Sequence, residues 1–168
     1  WPVLDADQYA REALAPNTSA SQAVAQRFGA VVGNAADLDR KALGRIVFSD
    51  AEERRWLETL VHPVVRDRFQ QELVRHSQAP VVVLMIPLLF ETGLEALCSE
   101  VWLVDCEPQQ QLERLMLRSG LNEADAQARL AAQWPLSRKR PLADRVIDNR
   151  GSADALEAAV NRCDPPSL

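Results

Sequence analysis

The sequence predicts an α/β protein whose mostly parallel sheet is flanked by helices. Val81–Pro87 and Val101–Asp105 are continuous apolar runs rich in β-branched residues, which is typical of strands buried on both faces. Helical patterns separate these runs from two other strand candidates, Trp1–Leu4 and Arg145–Asp148. Such alternation of strands with helices indicates an open sheet of mostly parallel order.

Length and composition fit a globular protein of one domain with an inserted lobe. The chain has 168 residues, of which 47% are hydrophobic and 26% are charged. The formal net charge of −5 argues against a broad nucleic-acid-binding face, so any anion site must be local and built from a few Arg and Lys. The longest apolar run, around Val81–Phe90, is too short to span a membrane and is broken by Pro87.

Cysteine and histidine usage argues against a structural zinc site. The three cysteines are scattered and lack CxxC spacing, and the chain has only two histidines. Scattered cysteines of this kind suit a reducing cytoplasm, in which the thiols are buried or inert.

The first strand ends at Leu4 and is followed by two acids, Asp5 and Asp7. No credible strand appears in the stretch that follows, so residues 20–78 are predicted to form an all-helical lobe. This lobe is much larger than a crossover helix, which needs only about a dozen residues.

Inside this lobe, Asp50 and Glu53 resemble a capping box at the start of a helix. Apolar residues then recur at helical spacing. Pro63 disfavours helix at the residue before it, so we expect two helices to meet at His62.

Helices and strands alternate again in the second half of the chain. After the third strand, a helix is expected from Pro108 to near Gly120, and further helical sequence runs to about Gln133. The last helix has Ser152 as its cap, and a loose tail follows at residues 164–168.

Two pairs of charged residues are candidates for chemistry, each with an alternative. In open α/β sheets, ligands bind outside the carboxyl ends of the strands, where Asp5 and Asp7 lie. Aspartate is equally a common helix N-cap. Arg114 and Arg118 stand one helical turn apart, which suits either a phosphate clamp or a solvated helix face.

Three further features remain open in the same way. The basic cluster at residues 138–140 suits a solvated loop or a mobile cationic lid. His62 is either a general base or a capping or packing residue. Trp56 and Trp134 are interpreted as core or lobe-interface residues, because they lie at helical spacing with aliphatic side chains.

Five segments taken together resemble the dephospho-CoA kinase family, over about residues 1–160. They are "VLDAD…ARE", "ERRWLETLVHPVVR", "VVVLMIPLLFETGL", "VWLVDCEPQQQLERLMLRSGL" and "AAQWPLSRKRPLADRVIDNRGS". No one of these segments is decisive alone, but they are specific as a set.

The resemblance implies a P-loop kinase that carries out the last step of coenzyme A biosynthesis. Its partners would be ATP and dephospho-CoA, and with Mg²⁺ it would transfer the γ-phosphoryl group of ATP to the ribose 3′-hydroxyl of dephospho-CoA. The resemblance also implies a single kinase domain. Its core would comprise residues 1–19, 79–118 and 141–168, with an acceptor-binding lobe at 20–78 and a lid at 119–140.

The resemblance also assigns roles to residues. Asp7 would be the catalytic base for the attacking hydroxyl, and Arg114 would offset charge on the transferred phosphoryl group. The remaining substrate-binding residues would be Asp5, Arg11, His62, Pro87, Leu88, Leu89 and Glu91. The remaining nucleotide- or phosphate-binding residues would be Arg118, Arg138, Lys139 and Asn149.

One motif of the family is missing from these residues. The glycine-rich loop G-x-x-x-x-G-K-[ST], which cradles phosphates and supplies the hydroxyl ligand of Mg²⁺, occurs nowhere among them. We therefore expect the first strand and this loop to precede Trp1 in a longer gene product. We also expect no metal ligand in this chain, and no turnover from the 168 residues alone.

Two alternatives stay open at this stage. One is a different P-loop kinase that acts on nucleosides or nucleotides, and the other is a non-catalytic CoA-binding module. The large lobe and the "VIDN" segment argue against the first alternative. The upstream sequence would decide the second.

Overall fold

Parallel strand pairs form the framework of the protein, as the apolar runs predict. The computed structural model describes residues 1–163, so the tail predicted at 164–168 lies outside the described residues. The chain divides into two compact units, Trp1–Pro87 and Leu88–Leu168. Predicted core strands occur in both units.

The first unit holds one parallel strand pair and the helices of the lobe. Its elements are β1 (Val3–Asp5), α1 (Ala6–Ala13), α2 (Ser19–Phe28), β2 (Gly33–Asn34), β3 (Asp37–Leu38), α3 (Arg40–Ser49), α4 (Ala51–Arg75) and β4 (Val83–Met85). A 3-10 turn occupies Gly29–Val31. Strand β1 pairs with β4, with Leu4 opposite Leu84.

The second unit holds the other parallel pair. Its elements are β5 (Trp102–Asp105), α5 (Pro108–Ser119), α6 (Glu123–Ala131), α7 (Leu136–Lys139), β6 (Arg145–Asp148) and α8 (Ala153–Asn161), with 3-10 turns at Glu95–Leu97 and Arg140–Leu142. Strand β5 pairs with β6, with Val104 opposite Ile147. The helix start at Pro108, the helix end at Gly120 and the Ser152 cap are confirmed.

The prediction that the strands are buried on both faces is wrong for the described residues. Met85 and Val104, one in each of the two apolar runs, are each 49% exposed, and Val3 and Val146 in the other strands are 59% and 49% exposed, whereas Leu4 and Ile147 are buried. The described parallel strands form two sheets of two strands each, and a pair of strands has too few neighbours to cover both of its faces.

The lobe between β1 and β4 has its own hydrophobic core. Its fully packed members are Val24, Val32, Leu43 and Val47, with Trp56 among the partly buried residues against them. This confirms the interpretation of Trp56 as a core residue.

The lobe is not all helical, because β2 and β3 form a small antiparallel hairpin within it. Each strand has only two residues, which is too short to produce an apolar run in the sequence. Gly33 enters the hairpin with φ of +82°, and an added Cβ would lie 2.5 Å from the carbonyl oxygen of Asp37. The turn therefore requires glycine at this position.

Helix α4 corrects the prediction that two helices meet at His62. It runs unbroken from Ala51 to Arg75 with Pro63 inside it. Proline removes one helical hydrogen bond, and its ring crowds the carbonyl of the residue four positions earlier, Thr59. Val61, Val65 and Phe69 on either side are buried at helical spacing, and their packing holds the helix through the proline. Of the predicted capping box, the Asp50 half is confirmed, since its side chain accepts from the backbone N–H groups of residues 52 and 53, whereas the Glu53 carboxylate pairs with Arg27 instead of returning to the Asp50 N–H.

Among the helices within residues 1–163, none is both long and apolar enough to cross a membrane.

Candidate active site

The two acids at the end of β1 and the start of α1 have different surroundings. Asp5 caps α1: its Oδ1 accepts hydrogen bonds from the backbone N–H of Asp7 at 2.8 Å and of Gln8 at 3.4 Å. Asp7 lies in the first turn of α1 and is exposed. Across residues 1–163, the structure records no hydrogen bond or ion pair for the Asp7 carboxylate. The capping interpretation therefore fits Asp5, whereas Asp7 presents an open carboxylate.

The helix that carries Asp7, α1, is held in place by contacts with α3 and α4. The ring of Tyr9 meets the ring of Phe69 on α4 edge to face, with centroids 5.2 Å apart. At the far end of α1, the Arg40 guanidinium donates to the backbone carbonyls of Arg11 and Leu14, both at 3.1 Å. Burial raises the pKa of Tyr9, with the nearby Glu72 carboxylate adding to the effect. These contacts hold the helix that carries Asp7 at its middle and at its C-terminal end.

Two other predicted substrate-binding residues lie in the same unit. Arg11 is exposed in the last turn of α1, one helical turn after Asp7. His62 is half-buried in the middle of α4, next to the buried Val61. Its interpretation as a cap at a helix junction is wrong, because α4 has no junction there. Substrate contact by either residue stays a prediction.

The segment after β4 forms a hydrogen-bonded turn. Pro87 is exposed and ends the first unit, while Leu88 and Leu89 are half-buried in the second. The carbonyl of Leu88 accepts from the Thr92 backbone N–H at 3.1 Å, and the carbonyl of Leu89 accepts from the Leu94 N–H at 3.1 Å. The backbone of this segment therefore has a defined shape.

Arg114 and Asn149, both predicted to bind nucleotide, are brought together. The Arg114 Nη1 donates to the Asn149 backbone carbonyl at 2.8 Å, and the Asn149 N–H donates to the Asp105 carbonyl at 2.7 Å. Arg114 and Arg118 are both exposed on α5. Within the described residues, no partner is recorded for the Arg118 guanidinium. This face of α5 therefore presents two cations to solvent, one of them oriented.

The basic cluster at residues 138–140 forms neither a solvated loop nor a mobile cationic lid, because each of its side chains has a partner. Lys139 is 5% exposed, and its Nζ lies 2.8 Å from Glu91 Oε1. The Arg138 guanidinium lies over the Trp134 ring, 3.3 Å from the centroid. Glu91 and Lys139, predicted to contact substrate and nucleotide, contact each other.

Sequence reasoning missed a second anchor, the ion pair between Asp105 and Arg140. Asp105 is 4% exposed, and its Oδ2 accepts from Arg140 through Nε at 2.9 Å and through Nη2 at 2.8 Å. The available signal was that β5 ends at an acid. Beside this pair lies a cavity of about 590 Å³, whose lining includes Cys106, Trp134 and Arg140. Burial raises the pKa of the Cys106 thiol.

No group of three or more His, Cys, Asp or Glu within residues 1–163 is arranged to hold a metal ion. A Mg²⁺ ion that arrives with ATP needs only one or two carboxylates in addition to the phosphates and water, so it does not require such a group. The chemistry that the described residues offer is an open carboxylate on α1 and exposed cations on α5.

Comparison with known proteins gives consistent matches over nearly the whole chain. A family model described as "Dephospho-CoA kinase" matches residues 1–155. A dephospho-CoA kinase of Parasynechococcus marenigrum is 71% identical over 163 residues, covering 97% of this chain and 82% of the relative. One from Synechococcus sp. strain CC9605 is 63% identical, covering 92% of this chain and 75% of the relative.

Solved structures agree with the fold. The crystal structure of TT1252 from Thermus thermophilus has a TM-score of 0.76 at 42% identity, covering 96% of this chain and 82% of that one. A dephospho-CoA kinase from Campylobacter jejuni has a TM-score of 0.64 at 28% identity, with the same coverage. The α/β fold with parallel strands and flanking helices is thus shared with these proteins.

Proposed function

The chain belongs to the dephospho-CoA kinase family, and from that membership we propose that it phosphorylates the ribose 3′-hydroxyl of dephospho-CoA with ATP as donor. The single observation that carries the mechanism is the open carboxylate of Asp7. It stands at the carboxyl end of β1, on a helix that packs on α4 through Tyr9 and is bonded by Arg40 at its C-terminal end, so the carboxylate has a defined place from which to accept a proton. The three free cysteines suit a reducing, cytoplasmic setting for this reaction.

In this proposal Asp7 orients the attacking hydroxyl and accepts its proton as the bond to the γ-phosphorus forms. Proton transfer to a positioned side chain contributes about 100- to 10,000-fold to a rate. The absence of any recorded partner for the carboxylate within the described residues supports this role, because a base engaged in an ion pair would first have to break it.

Arg114 serves the phosphoryl group. Its hydrogen bond to the Asn149 carbonyl uses one edge of the guanidinium and leaves other N–H donors free, so the group is oriented before the phosphates arrive. Arg118, one turn further along α5, adds a second cation on the same face.

ATP needs more than these residues provide. Mg²⁺, which family members use with ATP, would reach the reaction with the nucleotide and would offset the charge of its phosphates. The 168 residues contain no G-x-x-x-x-G-K-[ST] motif, so we expect them on their own to bind dephospho-CoA without turning it over.

The test is a kinase assay on the whole gene product. With ATP, Mg²⁺ and dephospho-CoA, we expect a product heavier by one phosphoryl group and identical to coenzyme A by chromatography and mass. Adenosine, AMP and other nucleosides or nucleotides, offered as acceptors, should give turnover at least 100-fold lower. Preference for a nucleoside or nucleotide would instead support the alternative P-loop kinase, and CoA binding without turnover would support the binding module.

A further inference from the structure

The carboxylate of Glu91 is a buried acceptor with two structural partners. Its Oε1 accepts from the Lys139 ammonium at 2.8 Å and from the Trp134 backbone N–H at 2.8 Å. The Glu91 side chain is 12% exposed and that of Lys139 is 6% exposed. A buried ion pair seldom adds net stability, whereas removal of one partner alone is costly. The pair is therefore better explained by the geometry that it imposes than by the stability that it supplies.

That geometry concerns one short segment, the C-terminal root of the predicted lid, residues 134–140. Each of its three consecutive cations has a different partner: Arg138 lies on Trp134, Lys139 pairs with Glu91, and Arg140 pairs with Asp105. Glu91 and Asp105 lie on segments that follow β4 and form β5, respectively. The root is thus tied at several points to segments outside it.

The opposite end of the predicted lid is built differently. Gly120 ends α5 with φ of +61°, and an added Cβ there would meet nothing within 4 Å. This end has a tight left-handed turn in open space, whereas the root at 134–140 is packed. Because only the 134–140 end carries anchoring contacts, motion of the predicted lid would take place in the residues before that root.

We propose that Glu91 is a positioning residue that fixes the lid root, and that Lys139 acts by neutralising Glu91 rather than by contacting the nucleotide. This inference rests on the kinase function proposed above for its kinetic part only. Closure of the lid would then involve residues 121–133, with the cations at 138–140 held still.

A double-mutant cycle separates this role from phosphate binding. In the whole gene product, Lys139→Met leaves the Glu91 charge buried, and we expect kcat/KM to fall at least tenfold together with a lower Tm. Adding Glu91→Gln removes that charge while keeping an acceptor for the Trp134 N–H, so the double variant should regain a kcat/KM within about threefold of wild type. Lys41→Met, at an exposed lysine, is the matched control and should change neither quantity.

If Lys139 contacted the phosphates, the KM for ATP would rise equally in the single and the double variant, since Glu91→Gln cannot replace the lost ammonium. That outcome would overturn the proposal. A double variant that regains Tm but not kcat/KM would overturn it as well.

A second measurement does not depend on enzyme activity, so it tests the buried ion pair even if the proposed function is wrong. These 168 residues contain two lysines, Lys41 and Lys139. Reductive methylation of the native protein followed by mass spectrometry should label Lys41 fully and Lys139 at least 20-fold more slowly. Saturating ATP should leave the Lys139 rate unchanged. Equal labelling of the two lysines, or protection of Lys139 only when ATP is present, would contradict a buried anchor.

Discussion

The guanidinium of Arg114 donates through Nη1 to the backbone carbonyl of Asn149 at 2.8 Å, which orients this exposed side chain at the end of β6. We therefore expect Arg114→Ala to lower kcat by about 100- to 1,000-fold, the range for loss of one preorganised donor to a developing negative charge. Arg118→Ala, the matched variant without a recorded partner among the described residues, should have a smaller effect. Steady-state kinetics at saturating dephospho-CoA measures kcat for both variants. Equal and mild losses of kcat would show that Arg114 and Arg118 only form a solvated helix face.

Asp7 should be essential for turnover but not for acceptor binding. Asp7→Asn keeps the size of the side chain and removes its basicity, so we expect kcat to fall by about 100- to 10,000-fold. The Kd for dephospho-CoA, measured by calorimetry, should stay within threefold of wild type. Asp154→Asn, at an acid in the first turn of α8, is the control and should be silent. Turnover within a few-fold of wild type would exclude Asp7 as the base.

Asp5 should act through the helix cap alone. Asparagine caps as well as aspartate does, so Asp5→Asn should leave the free energy of unfolding within a few tenths of a kcal/mol and kcat within about threefold. Asp5→Ala loses the acceptor for the Asp7 N–H and should cost about 1 kcal/mol in urea denaturation. A large loss of kcat in the asparagine variant, with stability unchanged, would instead show that the charge of Asp5 takes part in the reaction.

Pro63 is expected to lower the free energy of unfolding. It lies inside α4, where its ring removes the hydrogen bond that an N–H would make to the Thr59 carbonyl. Pro63→Ala should raise the free energy of unfolding by about 1 to 3 kcal/mol, within the range of the helix-interior penalty. If the proline orients the neighbouring His62 for the acceptor, the same variant should raise the KM for dephospho-CoA and leave the KM for ATP unchanged. Val64→Ala, at an exposed position, is the control.

Gly33 should tolerate no side chain. Gly33→Ala combines a positive φ with a Cβ placed 2.5 Å from the Asp37 carbonyl oxygen. Gly120→Ala has a positive φ but open space, so it isolates the conformational cost, about 1 to 2 kcal/mol. The Gly33 variant should be destabilised by more than the Gly120 variant in urea denaturation. Similar values for the two would mean that the hairpin shifts to relieve the clash.

Elements with strong local signals could be predicted from the sequence. The parallel strands are β-branched runs, and Asp50, Pro108, Gly120 and Ser152 mark helix ends by their own chemistry. The hairpin at Gly33 could not be predicted, because strands of two residues are too short to show an alternation of apolar and polar side chains. The continuity of α4 through Pro63 could not be predicted either. The packing of buried side chains on both sides of Pro63 outweighs the cost of a proline inside a helix.

The candidate site shows the same division. Asp5 and Asp7 could be found because they follow a strand, but the separation of a cap from an open carboxylate depends on hydrogen bonds between atoms. The pairing of Lys139 with Glu91 joins residues 48 positions apart, and no local pattern carries that information. A run of three basic residues looks the same in sequence whether it is solvated or anchored.

Helix α4 packs against two different sets of neighbours along its length. Trp56 and Leu57 near its start pack on the lobe core, whereas Phe69 near its end packs on Tyr9 of the helix that carries Asp7. Substitutions in the first half of α4 are therefore constrained by the lobe core, and those in the second half by packing on α1. An exchange of residues 14–62 with those of a related gene, with one crossover after α1 and a second near Pro63, would therefore keep Tyr9 and Phe69 from one parent and take the lobe core with Trp56 and Leu57 whole from the other.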